Sequence, residues 1–151
     1  MGKDEIVDTL NDLIRIVQDS HEGYQQAAES GEDEEFKALF SDLAAQRGAI
    51  VRELQRLVAE QGGAPDIGGT IVGGAHRFFL GLRAAVLGHE SEAILAEVER
   101  GETECVRRYD EALGKELPPE VAAVVSRHLG RIRTDRDRMA ALRTAAAGST
   151  A

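Results

Sequence analysis

Apolar residues recur along this 151-residue chain at steps of three and four, the spacing that gathers side chains on one face of a helix. Ile6, Leu10, Leu13, Ile14, Val17, His21, Tyr24 and Ala28 mark a first helix over about 4–29. Ser30-Gly31 stops it, and Asp33 is placed to cap a second helix over 34–60. The second stripe runs Phe36, Leu39, Phe40, Leu43, breaks at Gln46 and Arg47, and resumes with Ile50, Val51, Leu54, Leu57 and Val58. A turn of so few residues forces the two helices to lie antiparallel.

Residues 62–90 hold three glycine pairs and Pro65, and within them Phe78, Phe79, Leu82, Ala85 and Val86 predict a short helix over 76–87. Ile94, Leu95, Val98, Cys105, Val106, Tyr109 and Ala112 predict another over 92–113, ended by Gly114. Leu117-Pro118-Pro119-Glu120 opens the last, over 118–146, because proline suits a first helical turn. The tail from Ala145 to Ala151 is expected to fray. The pattern predicts one all-α domain over 1–151: an antiparallel four-helix bundle, hairpin then long crossover then hairpin. The crossover helix is expected to lie across one end of the bundle.

Composition agrees. Aromatics are only 4% with no Trp, so the core must be aliphatic, which suits helices better than strands. The net charge of −9 disfavours binding to nucleic acid or anionic membrane. It is uneven: from Pro118 on, six arginines face three acids, leaving −12 on the first 117 residues. A basic last helix beside acidic neighbours explains that split. No apolar run approaches the ~18 residues of a membrane span. Met1-Gly2-Lys3-Asp4-Glu5 has no signal-peptide character, and the lone Cys105 fits a reducing compartment, so the expectation is cytoplasmic.

Each long helix breaks its apolar stripe near its middle: His21 and Glu22, then Gln46 and Arg47, then Glu102, then Asp135 beside Arg131. Buried charge is costly unless paired or metal-bound, so four interruptions at similar depth predict a shared polar layer. Two accounts compete. Glu22, Glu99, Glu102 and Asp135, with or without His21, could coordinate iron or manganese. Alternatively, Arg47 and Arg131 neutralise the carboxylates and set helix register, which is the favoured account.

The segments Lys3–Ile14 and Leu95-Ala96-Glu97-Val98-Glu99-Arg100-Gly101-Glu102, with Tyr109 and Ala75-His76-Arg77, resemble a bacterial four-helix-bundle domain of unknown function within the ferritin-like superfamily. The resemblance spans nearly the whole chain. It implies the bundle fold and descent from di-iron proteins such as rubrerythrins, and no particular activity. Glu22 and Glu102 match that superfamily's single-glutamate positions, and Glu99-x-x-Glu102 is similar to its paired glutamates. Gln46-Arg47-Gly48-Ala49 has no Glu-x-x-His, and Ile132-x-x-Asp135 keeps one oxygen ligand only. What remains is a reduced site of Glu22, Glu102 and Asp135, joined by Glu99.

The expectation is therefore a non-enzymatic binding or interaction protein with a degenerate metal site and no cofactor. The alternative is a metal-binding or redox protein using the reduced carboxylate site. A homodimer or higher oligomer is expected, with the Phe78-Phe79-Leu82-Val86 segment packing on a second chain. A small-molecule ligand between the crossover and the bundle end is a third option. His76 and His89 read as surface or capping residues, His128 as a hydrogen-bonded core residue, and Cys105 as an apolar filler.

Overall fold

In the computed structural model, which describes residues 2–66, 77–88 and 90–149, the chain is all-α. The described residues form five helices and no strand: α1 (Lys3–Ser30), α2 (Glu34–Glu60), α3 (Arg77–Leu87), α4 (Ser91–Leu113) and α5 (Pro119–Ser149). His76 and His89 lie outside the described residues. Four of the helices fall within a residue of the expected bounds. α5 is longer, because the alanine-rich tail expected to fray stays helical as far as Ser149.

Local chemistry sets the ends. Asp33 accepts the backbone N–H groups of Glu35 and Phe36, starting α2 three residues after α1 ends. α2 closes on a Schellman motif: Gly63 N–H reaches the Val58 carbonyl and Gly62 N–H that of Ala59. Gly62 takes φ +79°, a conformation that glycine alone adopts without strain. The chain then folds back along α1. Asn11 donates to the Ala64 carbonyl and accepts Asp66 N–H, while Arg15 Nε bonds the Asp66 carboxylate.

Contacts fix the helix directions. α4 and α5 run antiparallel, with Glu99 meeting Arg143 and Asp110 meeting Arg133. α2 and α5 do the same, Arg47 meeting Asp135 and Glu53 meeting His128. Thr9 meets Lys115 and Tyr24 meets Glu102, so α1 and α4 are antiparallel as well.

Two apolar clusters fill the interior. One gathers Leu10, Leu13, Leu54, Val106, Val125 and Ile132; the other gathers Tyr24, Phe40, Leu82, Ile94, Val98 and Met139. Between them each long helix reaches its polar interruption.

α3 departs from expectation. It runs beside α1 and α4 rather than across an end, and its apolar stripe of Phe78, Leu82 and Val86 is buried within the chain instead of waiting for a second one. Two features hold it there. The Asp19 carboxylate on α1 accepts the N–H groups of Phe78 and Phe79, capping α3 from another helix. The Phe78 ring then wedges between Gly23 and Gly101, neither of which has room for a side chain.

Gly101→Ala should therefore destabilise the fold, although alanine normally gains about 1 kcal/mol over glycine inside a helix. Overpacking against a pinned, buried ring costs about 1–3 kcal/mol, and should win. Chemical denaturation checks it: a midpoint at or above wild type would show that Phe78 can yield.

Candidate functional site

Arg47 sits on α2 between the two stretches of apolar stripe, fully buried. A guanidinium at that depth needs acceptors beyond its own backbone, and three other helices supply most of the surroundings. Arg47 Nη2 donates to Glu102 Oε2 at 2.6 Å and to Asp135 Oδ2 at 2.9 Å, and Nη1 donates to Glu102 Oε1 at 3.2 Å. Its Nε donates to the neighbouring Gln46 side chain at 3.3 Å. From α1, the Tyr24 hydroxyl donates to Glu102 Oε1 at 2.6 Å, and the Arg47 guanidinium carbon lies 5.8 Å from the Tyr24 ring centre. Arg131 stands at the rim, its Nε 3.6 Å from Asp135 Oδ1.

Charge and burial pull against each other here. Two carboxylates share one interior guanidinium. Burial works against the Arg47 charge, but Glu102 and its other neighbours outweigh it and hold the guanidinium above the ordinary arginine pKa. Burial pushes the Glu102 carboxyl above its ordinary value, against the pull of Arg47 and the Tyr24 hydroxyl. The same burial, with Glu102 nearby, drives Tyr24 well up, and the Cys105 thiol rises to about 12. Cys105 is thus a protonated filler and no nucleophile at neutral pH.

The four residues grouped as metal ligands divide. Glu102 and Asp135 converge, but on Arg47. Glu22 stands apart, half-buried, with Gln18 Nε2 at 3.4 Å as its bonding partner. Glu99 is drawn off by Arg143 at 3.1 Å. His21 bonds the Ala44 backbone carbonyl at 2.7 Å. Among the described residues no group of three or more His, Cys, Asp or Glu side chains is arranged to hold a metal ion. The donor set does not fit an iron or manganese centre, because its two best oxygen donors already face a cation.

Two participants were not legible beforehand. Tyr24 reads from the pattern only as a member of the α1 apolar stripe, yet its hydroxyl crosses to Glu102 on α4. Asp19 carried no signal, since its partners are backbone groups of a distant segment.

A second polar chain lies one level away. His128 Nε2 bonds Glu53 Oε1 at 2.6 Å, His128 Nδ1 bonds the Tyr109 hydroxyl at 3.3 Å, and Arg127 bonds the other Glu53 oxygen at 2.7 Å. Bonds from Arg127 and His128 bring the Glu53 carboxyl down to about 2, while burial lowers His128 despite Glu53.

Removing Arg47 alone strands two buried carboxylates, so Arg47→Met should lose about 3–5 kcal/mol. The triple variant Arg47→Met/Glu102→Leu/Asp135→Leu should recover most of that, since apolar replacement of a whole buried ion cluster is near neutral. Urea denaturation of both variants checks this; equal losses would mean that the charges do not act as one unit.

His128 and Glu53 contribute a pH dependence of defined sign. Both folded pKa values lie below their unfolded ones, so the unfolded state binds more protons and stability falls on acidification. The His128 share is lost as pH drops below about 6.5 and the Glu53 share below about 4.5. Melting temperature should therefore decline in two stages between pH 7 and 3, and His128→Gln should remove the upper one. An unchanged upper stage in that variant would refute the assignment.

Residues 5–115, well over half the chain, match the family model described as Domain of unknown function (DUF2383). No curated protein matches the chain.

Proposed function

We propose, taking as premise that the chain belongs to the DUF2383 family, that it is a non-enzymatic interaction protein whose interior cation is its own Arg47. Its framework in this reading is an antiparallel four-helix bundle of the bacterial ferritin-like type. The mutual directions of α1, α2, α4 and α5, and the crossover bearing α3, support that framework. The observation that carries the function is the bridge from Arg47 to Glu102 and Asp135 at 2.6 and 2.9 Å.

A guanidinium in that place does what a bound ion would do for two carboxylates: it neutralises them and ties α2, α4 and α5 together. It carries no redox chemistry and has no open coordination position. Glu102 and Asp135 then have a structural task, and Glu22 and Glu99 serve the half-buried surface. No helix among the described residues is long and apolar enough to cross a membrane. With the buried Cys105 that favours action in the cytoplasm, as a domain whose work is done by its outer faces.

Two measurements test this. Iron(II) or manganese(II) added anaerobically to the wild-type chain, then desalted, should leave no stably bound ion. Arg47→Ala should regain melting temperature with millimolar ethylguanidinium, and not with ethylammonium, because ligand binding to the folded state alone stabilises it. Stoichiometric metal in the wild type that Glu102→Gln abolishes would replace this reading with that of a metal-binding or redox protein.

A further inference from the structure

At the end of the molecule where α1 turns into α2 and α3 gives way to α4, an open cavity of about 320 Å³ reaches the surface. Phe36, Phe40, Val86 and Ile94 line it, with Glu32 and Asp33 at its lip. Glu34 and Glu35 follow in the sequence and open α2, so four acidic residues stand together at 32–35, of which Asp33 caps the helix and Glu34 lies 4.0 Å from Lys37. The hole has an apolar side of Phe36, Phe40, Val86 and Ile94 and a polar side that carries Glu32, Asp33 and Ser91.

Beside it runs the outward face of α3. Leu87 is 60% exposed and Leu80 55%, the two most exposed large hydrophobic side chains among the described residues. Arg83 lies on the same stripe, one turn before Leu87, exposed and without a carboxylate partner among the described residues. α3 carries no acidic residue. Its inner stripe is already satisfied, so Leu80 and Leu87 are left on the outer side with Arg83 between them.

We propose that this cavity and the outer face of α3 are the two halves of a self-complementary interface between two copies of the chain. Leu87 of each copy enters the cavity of the other, and Arg83 meets the acidic run 32–35 at its lip. Charge complementarity selects this occupant, because the lip repels anions and the α3 face offers one cation, Arg83, between two exposed leucines, Leu80 and Leu87. Adjacency allows reciprocity. Val86 lines the hole and the next residue, Leu87, is the knob, so one twofold axis exchanges both. The interface is independent of the Arg47 cluster, so either proposal can fail without the other.

Sedimentation velocity of the full chain over a range of concentrations, at about 0.05 M and about 0.5 M salt, reads the association. The expected result is a dimer that weakens at the higher salt. Leu87→Asp should weaken it by about a hundredfold and Arg83→Glu by about tenfold, the losses expected for a buried anchor and a charge pair. Both residues are exposed, so circular dichroism should show the variants folded. Adding Glu34→Lys/Glu35→Lys to Arg83→Glu should restore the dimer. A wild-type monomer at every concentration, a dimer that Leu87→Asp leaves intact, or a charge swap that restores nothing would each overturn the proposal. So would a cavity that binds a small apolar probe while the chain stays monomeric.

Discussion

Arg47 cannot be buried unless Glu102 and Asp135 arrive beside it, and that requirement constrains most of the molecule. A lone desolvated guanidinium would cost more than a domain of this size can spare. The three residues come from α2, α4 and α5, so satisfying the charge sets the relative register of three helices at once. Sliding one helix by a single turn would move its partner about 5.4 Å along the axis and break the bonds. Aliphatic surfaces alone discriminate poorly between neighbouring registers, since one leucine layer fits much like the next. The polar layer makes the choice specific, and the two apolar clusters on either side supply the burial.

The fourth long helix joins through Tyr24, and α3 joins through Tyr24 in turn. The Tyr24 hydroxyl is spent on Glu102 while its ring packs edge-on against Phe78, with ring centres 5.2 Å apart. Phe78 needs the bare backbones of Gly23 and Gly101, and Gly101 immediately precedes Glu102. The Asp19 carboxylate holds the start of α3 in place over that wedge. One short stretch of α4 thus carries both the carboxylate that binds Arg47 and the gap that admits α3. A device that sets helix register also seats the crossover helix, which leaves the outer side of α3 turned away from the core.

Much of the polar layer was legible in advance, because each helix interrupts a regular apolar stripe at the same depth. Arg47, Glu102 and Asp135 stand out on that ground alone, and the arginine argues for neutralisation over metal binding. Glu22 was grouped with them as part of the α1 interruption, and Glu99 through the resemblance that pairs it with Glu102. Glu22 precedes Tyr24 by two residues, which turns it well away from Tyr24 around α1, and its partner is Gln18. Glu99 precedes Glu102 by three, which keeps it on a neighbouring face but one turn along, where Arg143 takes it. Asp19 was invisible because capping in trans leaves no spacing to read. The inward packing of Phe78, Leu82 and Val86 was misjudged since an amphipathic stripe says only that something covers it.

Taken by itself, the amino-acid sequence determined what is periodic and local. The five helices, the Asp33 cap and the glycine stops, the all-α class and the presence of a mid-depth polar layer follow from spacings of three and four and from glycine, proline and aspartate at the ends. Tertiary structure decided every choice between equally spaced candidates: which carboxylates meet Arg47, where the Tyr24 hydroxyl goes, and which side of α3 is covered. The reason is geometric. Periodicity assigns a residue to a face, but only the rotation and register of packed helices say which atoms on facing helices come within 3 Å.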